Sequence, residues 1–569
     1  MNHSRNGVKR SHLLLTLFLM TAVLAACLPT RQATPIPATQ TPVPSPTVMP
    51  PLAQMPELSW WQQGTLYELF VRSFYDSNGD GIGDFKGLTE KLDYLNDGNP
   101  ETTSDVGVTG LWLMPIFPAT SYHGYDITDY MTVNPDYGTM EDFKAFLAAA
   151  HQRGIRVIID FVINHTSIHH PWFESAVKDP NSPYRDYYIW SQTDPGYVGP
   201  WNEKVWYQTA RDDFYYAVFW SGMPDLNYRT PEVRDEIKKI TTFWLKDVGV
   251  DGFRLDGARH LIEDGKDQVN TPETHAYLKE FNALVKSINP QALVVGEVWE
   301  SSFSVVQYIK DQNMDLAFGF DLSTGLIKGL NQADAKRMGN SVSFETNLYP
   351  DNSMATFLTN HDMNRVSNQL LGDVGTMKNA AVLLLTSKGV PFVYYGEEIG
   401  MFGAKPDEQI RTPMQWSSAD RAGFSTGGKA WMGVNSDYKK INVELQSSDA
   451  ASLLNLYRAL IQLRQKTPAL LVGSYRWIDT GTSQVYAAVR EYQGQVILIL
   501  INLSDAAVSE YAVNLDLNQP GGKYTTESLL DGASLADLTL DDNGAVKGFQ
   551  PIAELPAYAH LIIQLRPAQ

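Results

Sequence analysis

Three acidic residues stand at the ends of β-type runs: Asp256 closes GFRLD, Glu297 follows LVVG in VGEVW, and Asp362 closes FLTNHD. Side chains two apart on a strand point the same way, so Arg254 and Asp256 share a face. An arginine beside a carboxylate favours its ionised form, the state a nucleophile needs. Two more strand-end pairs, Asn164-His165 and Asn360-His361, add neutral hydrogen-bond donors suited to hydroxyl groups. Each feature is weak alone, because a strand-end Asp commonly serves as a cap or an ion-pair partner. A second cluster lies in DSNGDGIGDFKG (76–87), where Asp76, Asn78, Asp80 and Asp84, with the Ile82 carbonyl, offer hard oxygens between glycines. Such donors suit calcium, and magnesium less well. A calcium-sensor loop needs a bidentate Glu at its twelfth position, and this chain has Gly87 there. The alternative is an Asp/Gly-rich turn without a metal.

The elements that must position these groups alternate in kind. Strand candidates occur at 65–74, 108–117, 155–164, 252–256, 293–299, 314–320, 355–362 and 391–400. Helix patterns such as MEDFKAFLAAAHQRG, TPEVRDEIKKITTFWLKDVG and HAYLKEFNALVKSIN lie between several of them. Continuous apolar strands alternating with helices imply a parallel sheet covered by helices, and eight of them imply an α/β fold of the (β/α)8 TIM-barrel class. An open doubly wound sheet is the alternative on pattern alone. In a barrel the strand C-terminal ends converge on one mouth, which gathers Asp256, Glu297 and Asp362.

Residues 165–227 break the rhythm with an aromatic-rich stretch that includes Tyr187, Trp190, Trp201, Trp206 and Trp220. So long an insertion reads as a small subdomain. From about Ser474 the runs QVYAAVREY, QVILILINL and HLIIQL have no helix pattern between them and imply a C-terminal antiparallel β-sandwich. The expected organisation is a barrel at 58–164 and 228–468, an inserted subdomain at 165–227 and a β domain at 469–569.

The chain has 569 residues and a formal net charge of -19, which argues against nucleic acid, because phosphate binding needs a basic surface. Its single cysteine, Cys27, follows Arg5, Lys9, Arg10, the apolar run LLLTLFLMTAVLA and the tetrapeptide ending LAAC. A basic segment, a short apolar core and small residues before a cut site describe an export signal at 1–26. LAAC also resembles a bacterial lipobox, which implies lipidation of Cys27 and anchoring at a bacterial membrane. A plain secretory signal is the alternative. The Pro/Thr-rich stretch 27–57 then serves as an extended tether.

DFVINH (160–165), GFRLDGARH (252–260), GEVW (296–299) and FLTNHD (357–362) together resemble the four signature regions of the α-amylase superfamily, glycoside hydrolase family 13. MPDLN (223–227) resembles its fifth, and all five stand in the family's order. The resemblance implies a retaining mechanism in which Asp256 is the nucleophile and Glu297 the general acid, then base, with a raised pKa. It implies that Asp362 binds the sugar ring's hydroxyls, that Arg254, His165 and His361 position nucleophile and sugar, and that Arg259 and His260 lie toward the leaving group. It also implies that Tyr125 stacks on the sugar and that the 76–84 loop holds one structural calcium.

Finer placement rests on SYHGYD (121–126). The family's α-glucosidases usually carry an Asp and an Asn before this Gly-Tyr, whereas Tyr122 and His123 stand here, as in endo-acting α-amylases. The resemblance therefore implies an enzyme that cuts internal α-1,4 bonds of starch, glycogen or maltooligosaccharides. A monomer is expected, although no residue pattern fixes the oligomeric state. RTPMQWSS (411–418), AGFS (422–425) and the 76–87 loop are closer to the oligo-1,6-glucosidase and trehalose synthase branch, and MPDLN to an intermediate group near the neopullulanases. A glucosidase or isomerase of the family, and a non-catalytic glycan-binding barrel, stay as alternatives.

Overall fold

The computed structural model describes residues 54–350 and 352–568. The export signal, Cys27 and all but the last four residues of the tether lie outside them. Eight parallel strands close a barrel: β1 (Leu66–Leu69), β2 (Gly110–Leu113), β3 (Arg156–Phe161), β4 (Gly252–Leu255), β5 (Leu293–Gly296), β6 (Leu316–Phe318), β7 (Met354–Thr356) and β8 (Val390–Tyr394). Closure is made where β1 pairs with β8, Leu66 opposite Phe392. Every residue of β1, β2, β4 and β5 is buried, as strands covered by side chains on one face and helices on the other must be. The open doubly wound alternative is excluded.

All eight strand candidates run past the real strands. The 355–362 run leaves β7 at Thr356, so Asp362 stands six residues beyond its strand, and two of the tails are helical. The 65–74 run contains β1 and then a helical turn, Val71–Phe74, while the 391–400 run leaves β8 for a turn at Glu397–Ile399. Both tails are as apolar as the strands because they pack into the same core, so hydrophobicity alone cannot mark the change. The helices start where local chemistry directs them. Thr139 and Asp142 form a reciprocal capping box on Met140–Gln152, a feature worth about 1 kcal/mol. The helix Pro231–Thr242 continues as a π-helical turn, Phe243–Val248, and stops at Gly249, whose φ of +95° suits glycine.

Within 165–227, Trp190–Ser191, Trp206–Gln208 and Phe214–Tyr216 form a three-stranded sheet. Val205, Trp206, Tyr216 and Val218 give it a small core of its own. At the C-terminus, Ser474–Ile478, Val485–Tyr492, Gln495–Asn502, His560–Pro567, Gly522–Ser528 and Leu538–Leu540 form one antiparallel sheet. The pair Val513–Asp516 and Ala545–Phe549 forms a second. Leu498, Leu500 and Ile563 face Val513, Leu515 and Phe549 between the sheets. Ile497, Ile499 and Ile562, on the opposite face, belong to the barrel's core. Burial on both faces explains why QVILILIN is apolar throughout instead of alternating.

Candidate active site

Strand alternation converts an apolar barrel interior into a charged mouth. Leu66, Ile158, Val295 and Phe357 fill the interior. Two residues farther along the chain stand Glu68 and Asp160, within β1 and β3, and Glu297, just past β5, while beyond Phe357 and Thr359 comes His361. The strands therefore deliver the charged groups as a ring above the hydrophobic plug.

Arg254 on β4 is fully buried at the centre of that ring. Its Nη1 donates to both oxygens of Asp160 at 2.8 and 3.0 Å and to Asp256 Oδ1 at 2.7 Å. Its Nη2 donates to Glu297 Oε2 at 2.8 Å. Trp112 lies 5.0 Å from the guanidinium and closes the floor. Gly257, at φ +52°, turns the chain directly after Asp256, and its N–H donates to Glu297 Oε2 at 3.1 Å. A Cβ at that glycine would come within 2.8 Å of Phe219, so a side chain there conflicts with both the turn and its neighbour.

The expected trio converges, with an electrostatic pattern different from the simple one. Burial pushes Asp256 up to about 6, and Asp160 and Asp362 add to the rise while Arg254 opposes it. One guanidinium shared among three carboxylates does not outweigh desolvation at any of them. Glu297 is likewise raised, by burial first and then by Asp256 and Asp362, with Arg254 opposing. Asp362 goes the other way. Burial works against its charge, but His361, Arg411 and Arg254 hold it well below the usual carboxylate range.

The histidines divide too. Burial lowers His165 to about 4, lowers His123, and with Arg259 lowers His260 to about 3, so these three are neutral. His361 is not the neutral donor expected at Asn360-His361. Burial alone would lower it, but Asp362 and Glu68 outweigh that and raise it to about 10. Asn164 does not face the mouth as a free donor either. It gives its amide to Asp225 of MPDLN at 3.1 Å, and the Leu226 N–H bonds to the Asn164 carbonyl. The fifth motif thus clasps the end of β3.

Tyr125 stacks on His361, 5.6 Å between ring centres and 14° apart, and its hydroxyl meets His361 Nε2 at 2.6 Å and Asp160 at 3.1 Å. His123 Nδ1 accepts from the Tyr125 N–H at 3.1 Å, and His165 Nε2 lies 3.1 Å from the Tyr125 carbonyl. On the Glu297 side, a depression of about 470 Å³ is lined by Trp201, Phe219, Arg259, His260, Glu297 and Trp299. Arg259 pairs with Glu300 there and sits 5.5 Å from the Trp201 ring. On the other side, a depression of about 750 Å³ is lined by Tyr122, His123, Trp220, Asp407 and their neighbours.

Sequence reasoning did not single out Asp160, Glu68, Arg411, Trp201 or Trp299 as site residues. Asp160 opens the quoted DFVINH and Trp299 ends GEVW, so strand period and motif edge were available signals. Arg411, which donates to Asp362 at 2.8 Å and to the His361 carbonyl at 2.9 Å, sits in RTPMQWSS with no local mark of its role.

The 76–84 loop is held by its own side chains. Asp76 accepts from the N–H groups of Asn78, Gly79 and Gly81 and from Ser425, Asn78 from Asp80, and Asp80 from Ile82. Asp84 caps the helix Phe85–Glu90 through Gly87 and also binds Ser77. Among the described residues no three His, Cys, Asp or Glu side chains converge as a metal-binding group. The donor set, completed by the Asn78 amide and the Ile82 carbonyl, is nonetheless all hard oxygen, which fits calcium by type.

Comparison with known proteins agrees with this architecture. Residues 68–473 match the family model for the α-amylase catalytic domain. The chain is 41% identical over 453 residues to "Alpha-amylase 3" of Dictyoglomus thermophilum, covering 78% of this chain and 85% of that one. It is 34% identical over 494 residues to "Trehalose synthase/amylase TreS" of Mycolicibacterium smegmatis, covering 77% and 82%. The crystal structure of an α-amylase from H. orenii superposes with a TM-score of 0.77 at 40% identity, covering 88% of this chain and 99% of that one. With its closed barrel, strand-end carboxylates and C-terminal β domain, the chain belongs to the α-amylase family of glycoside hydrolases, family 13.

Proposed function

We propose that the protein is an exported, retaining hydrolase that cuts internal α-1,4 bonds of starch, glycogen and maltooligosaccharides. The observation that carries this reading is the pair of depressions flanking the carboxylates. The one containing Glu297 receives the leaving group, because the acid must reach the departing oxygen. The other, with His123 on its wall, gives a donor-side chain room to continue past the cleavage point.

Asp256 attacks the anomeric carbon to form a glycosyl-enzyme ester. Arg254 occupies its Oδ1, which leaves Oδ2 for attack. Glu297 acts first as the acid, the form its raised pKa favours, and Arg254 and the Gly257 N–H occupy Oε2, so Oε1 carries the proton to the leaving oxygen. The same carboxylate then deprotonates the incoming water. Asp362, held ionised, binds ring hydroxyls and supports distortion toward the oxocarbenium-like state. Bridging of Asp256 and Glu297 by one guanidinium favours the short separation of a retaining pair over the wider gap of an inverting one. Tyr125 offers a stacking face, and His165, His123, His260 and Arg259 offer hydrogen bonds along the cleft.

One observation favours a second reading, a chain-end-acting or glucosyl-transferring enzyme of the trehalose synthase type. Arg411 also donates to Asp407 at 3.3 Å, which places an ion pair on the donor-side rim. Early products from maltoheptaose, pullulan and sucrose, run in parallel with a starch–iodine time course, separate the two. Iodine colour lost well before glucose accumulates supports the endo reading; glucose or trehalose as the first product overturns it.

Two attachments complete the proposal. The 76–84 loop holds a structural calcium that braces the first βα loop and takes no part in cleavage. Trp431 N–H bonds to the Gly81 carbonyl and the Trp431 ring stacks on Tyr122, so the brace reaches the cleft wall. Chelation is expected to lower the melting temperature before it lowers activity measured in the cold, and an unchanged melting temperature counts against the ion. Cys27 carries the lipid anchor, which mass spectrometry of the N-terminal peptide from membranes tests.

A further inference from the structure

Glu68 reaches the mouth from β1 and is 2% exposed. Its Oε1 lies 2.5 Å from His361 Nδ1 and accepts from the His361 backbone N–H at 3.3 Å. On the opposite edge of the same ring, Nε2 lies 3.1 Å from Asp362 Oδ2 and 2.6 Å from the Tyr125 hydroxyl. A neutral imidazole carries one N–H and one acceptor nitrogen. It can satisfy Glu68 or Asp362, and the other carboxylate then faces a lone pair. With a carboxylate against each nitrogen, only the imidazolium makes both contacts attractive.

We propose that Glu68 is a positioning residue that fixes His361 as a cation, and through it keeps Asp362 ionised and aimed at the sugar. The groups around His361 support this arrangement. Glu68 approaches from β1, Asp160 from β3 through Tyr125, with Arg254 of β4 paired to that aspartate, and Asp362 and Arg411 from the segments after β7 and β8. Trp112 sets its ring 5.5 Å from the imidazole, edge-on, and no part of His361 reaches solvent. Water cannot supply the second partner, so the charge state is set by these neighbours alone.

The consequence concerns where the mouth keeps its proton. Asp160, Asp256, Glu297 and Asp362 repel one another when all are ionised, and such clusters retain protons. A cationic His361 beside Asp362 excludes the proton from that carboxylate and leaves it to Glu297, where acid catalysis needs it. Glu68, which touches no substrate, thereby partitions the proton. The inference rests on the retaining mechanism and not on endo cleavage, since it holds for any α-glucoside the site turns over.

The test uses Glu68→Gln, which keeps shape and removes charge, with Glu68→Asp as the conservative partner and an aryl α-maltoside as substrate. Without the Glu68 charge the pKa of His361 falls, so the alkaline limb of the kcat profile should move to lower pH. At pH 8 the loss in kcat should be on the order of tenfold or more with KM changed less, and it should shrink toward acid pH. Glu68→Asp should restore part of the limb. An even loss at all pH values, or no loss, overturns the proposal. Imidazole nitrogen resonances of the wild-type protein, assigned with His361→Gln, decide the matter even if Glu68→Gln does not fold. A doubly protonated His361 through pH 8 supports the proposal, and titration near the ordinary histidine value ends it. Failure of the endo reading would appear in product lengths instead.

Discussion

Arg254 at the barrel mouth and Arg464 beneath the opposite end of β8 are both almost wholly buried, the first among three carboxylates and the second among three backbone carbonyls. The carbonyls belong to Leu385, Ser387 and Gly389, where the helix Val374–Thr386 ends and the chain turns into β8. Arg490, from the C-terminal domain, adds donations to Thr386, Gly473 and Ser474. Helix ends leave carbonyls unpaired, and a buried cation satisfies them. Burial, with no carboxylate to oppose it, lowers Arg464 to about 9 and Arg490 to about 10, whereas Asp160 and its neighbours raise Arg254. The same side chain thus does two jobs. Among carbonyls it joins elements, and among carboxylates it limits how far burial raises their pKa.

The largest expected break in that contrast is at the carboxylates. Glu297→Gln should lower kcat on starch by about 10²- to 10⁴-fold while the fold, read by circular dichroism, stays intact. Arg254→Lys keeps the charge and loses the fork. Its expected cost is about 10²- to 10³-fold in kcat, measured as initial rates on maltoheptaose.

The pH profile sharpens the comparison next. As the proposed nucleophile Asp256 works ionised, and its value of about 6 places the expected acid limb of kcat/KM near pH 6, above the usual carboxylate range. Activity should rise as pH passes upward through that point. Glu297 works protonated, so its raised pKa carries activity toward higher pH. Arg464→Met should leave this profile unmoved, because its titrating neighbour is Arg490, which bonds backbone carbonyls and none of the mouth's carboxylates among the described residues. Its effect is on stability. Loss of charged hydrogen bonds worth about 1.5–3 kcal/mol should lower the melting temperature by about 2–4 °C. A shift in the acid limb with that variant would break the distinction between the two ends.

Much of the site was legible in the chain because a strand's side chains repeat every two residues and its carboxylates gather at one end. This pattern implies the barrel, whose mouth gathers Asp256, Glu297 and Asp362, although Asp362 stands six residues past β7. Strand ends were less legible, as Val71–Phe74 and Glu397–Ile399 show, since a helical turn packed into the core is as apolar as the strand before it. The barrel is therefore a property of local pattern.

The charge states are not. Glu68 lies 293 residues from His361, Asp160 lies 94 from Arg254, and Arg411 lies 49 from Asp362. Closure of the ring, β1 against β8 and β3 against β4, brings each pair together. The spacing along the chain made Asp256 an arginine-stabilised anion and His361 a neutral donor. In the folded mouth the arginine is shared and burial is nearly complete, so Asp256 holds its charge only above about pH 6 and His361 is raised to about 10 instead of staying a neutral donor. Spacing along a chain records which groups can meet, but a pKa depends on burial and on every charge within a few ångströms, and those exist only after the barrel closes.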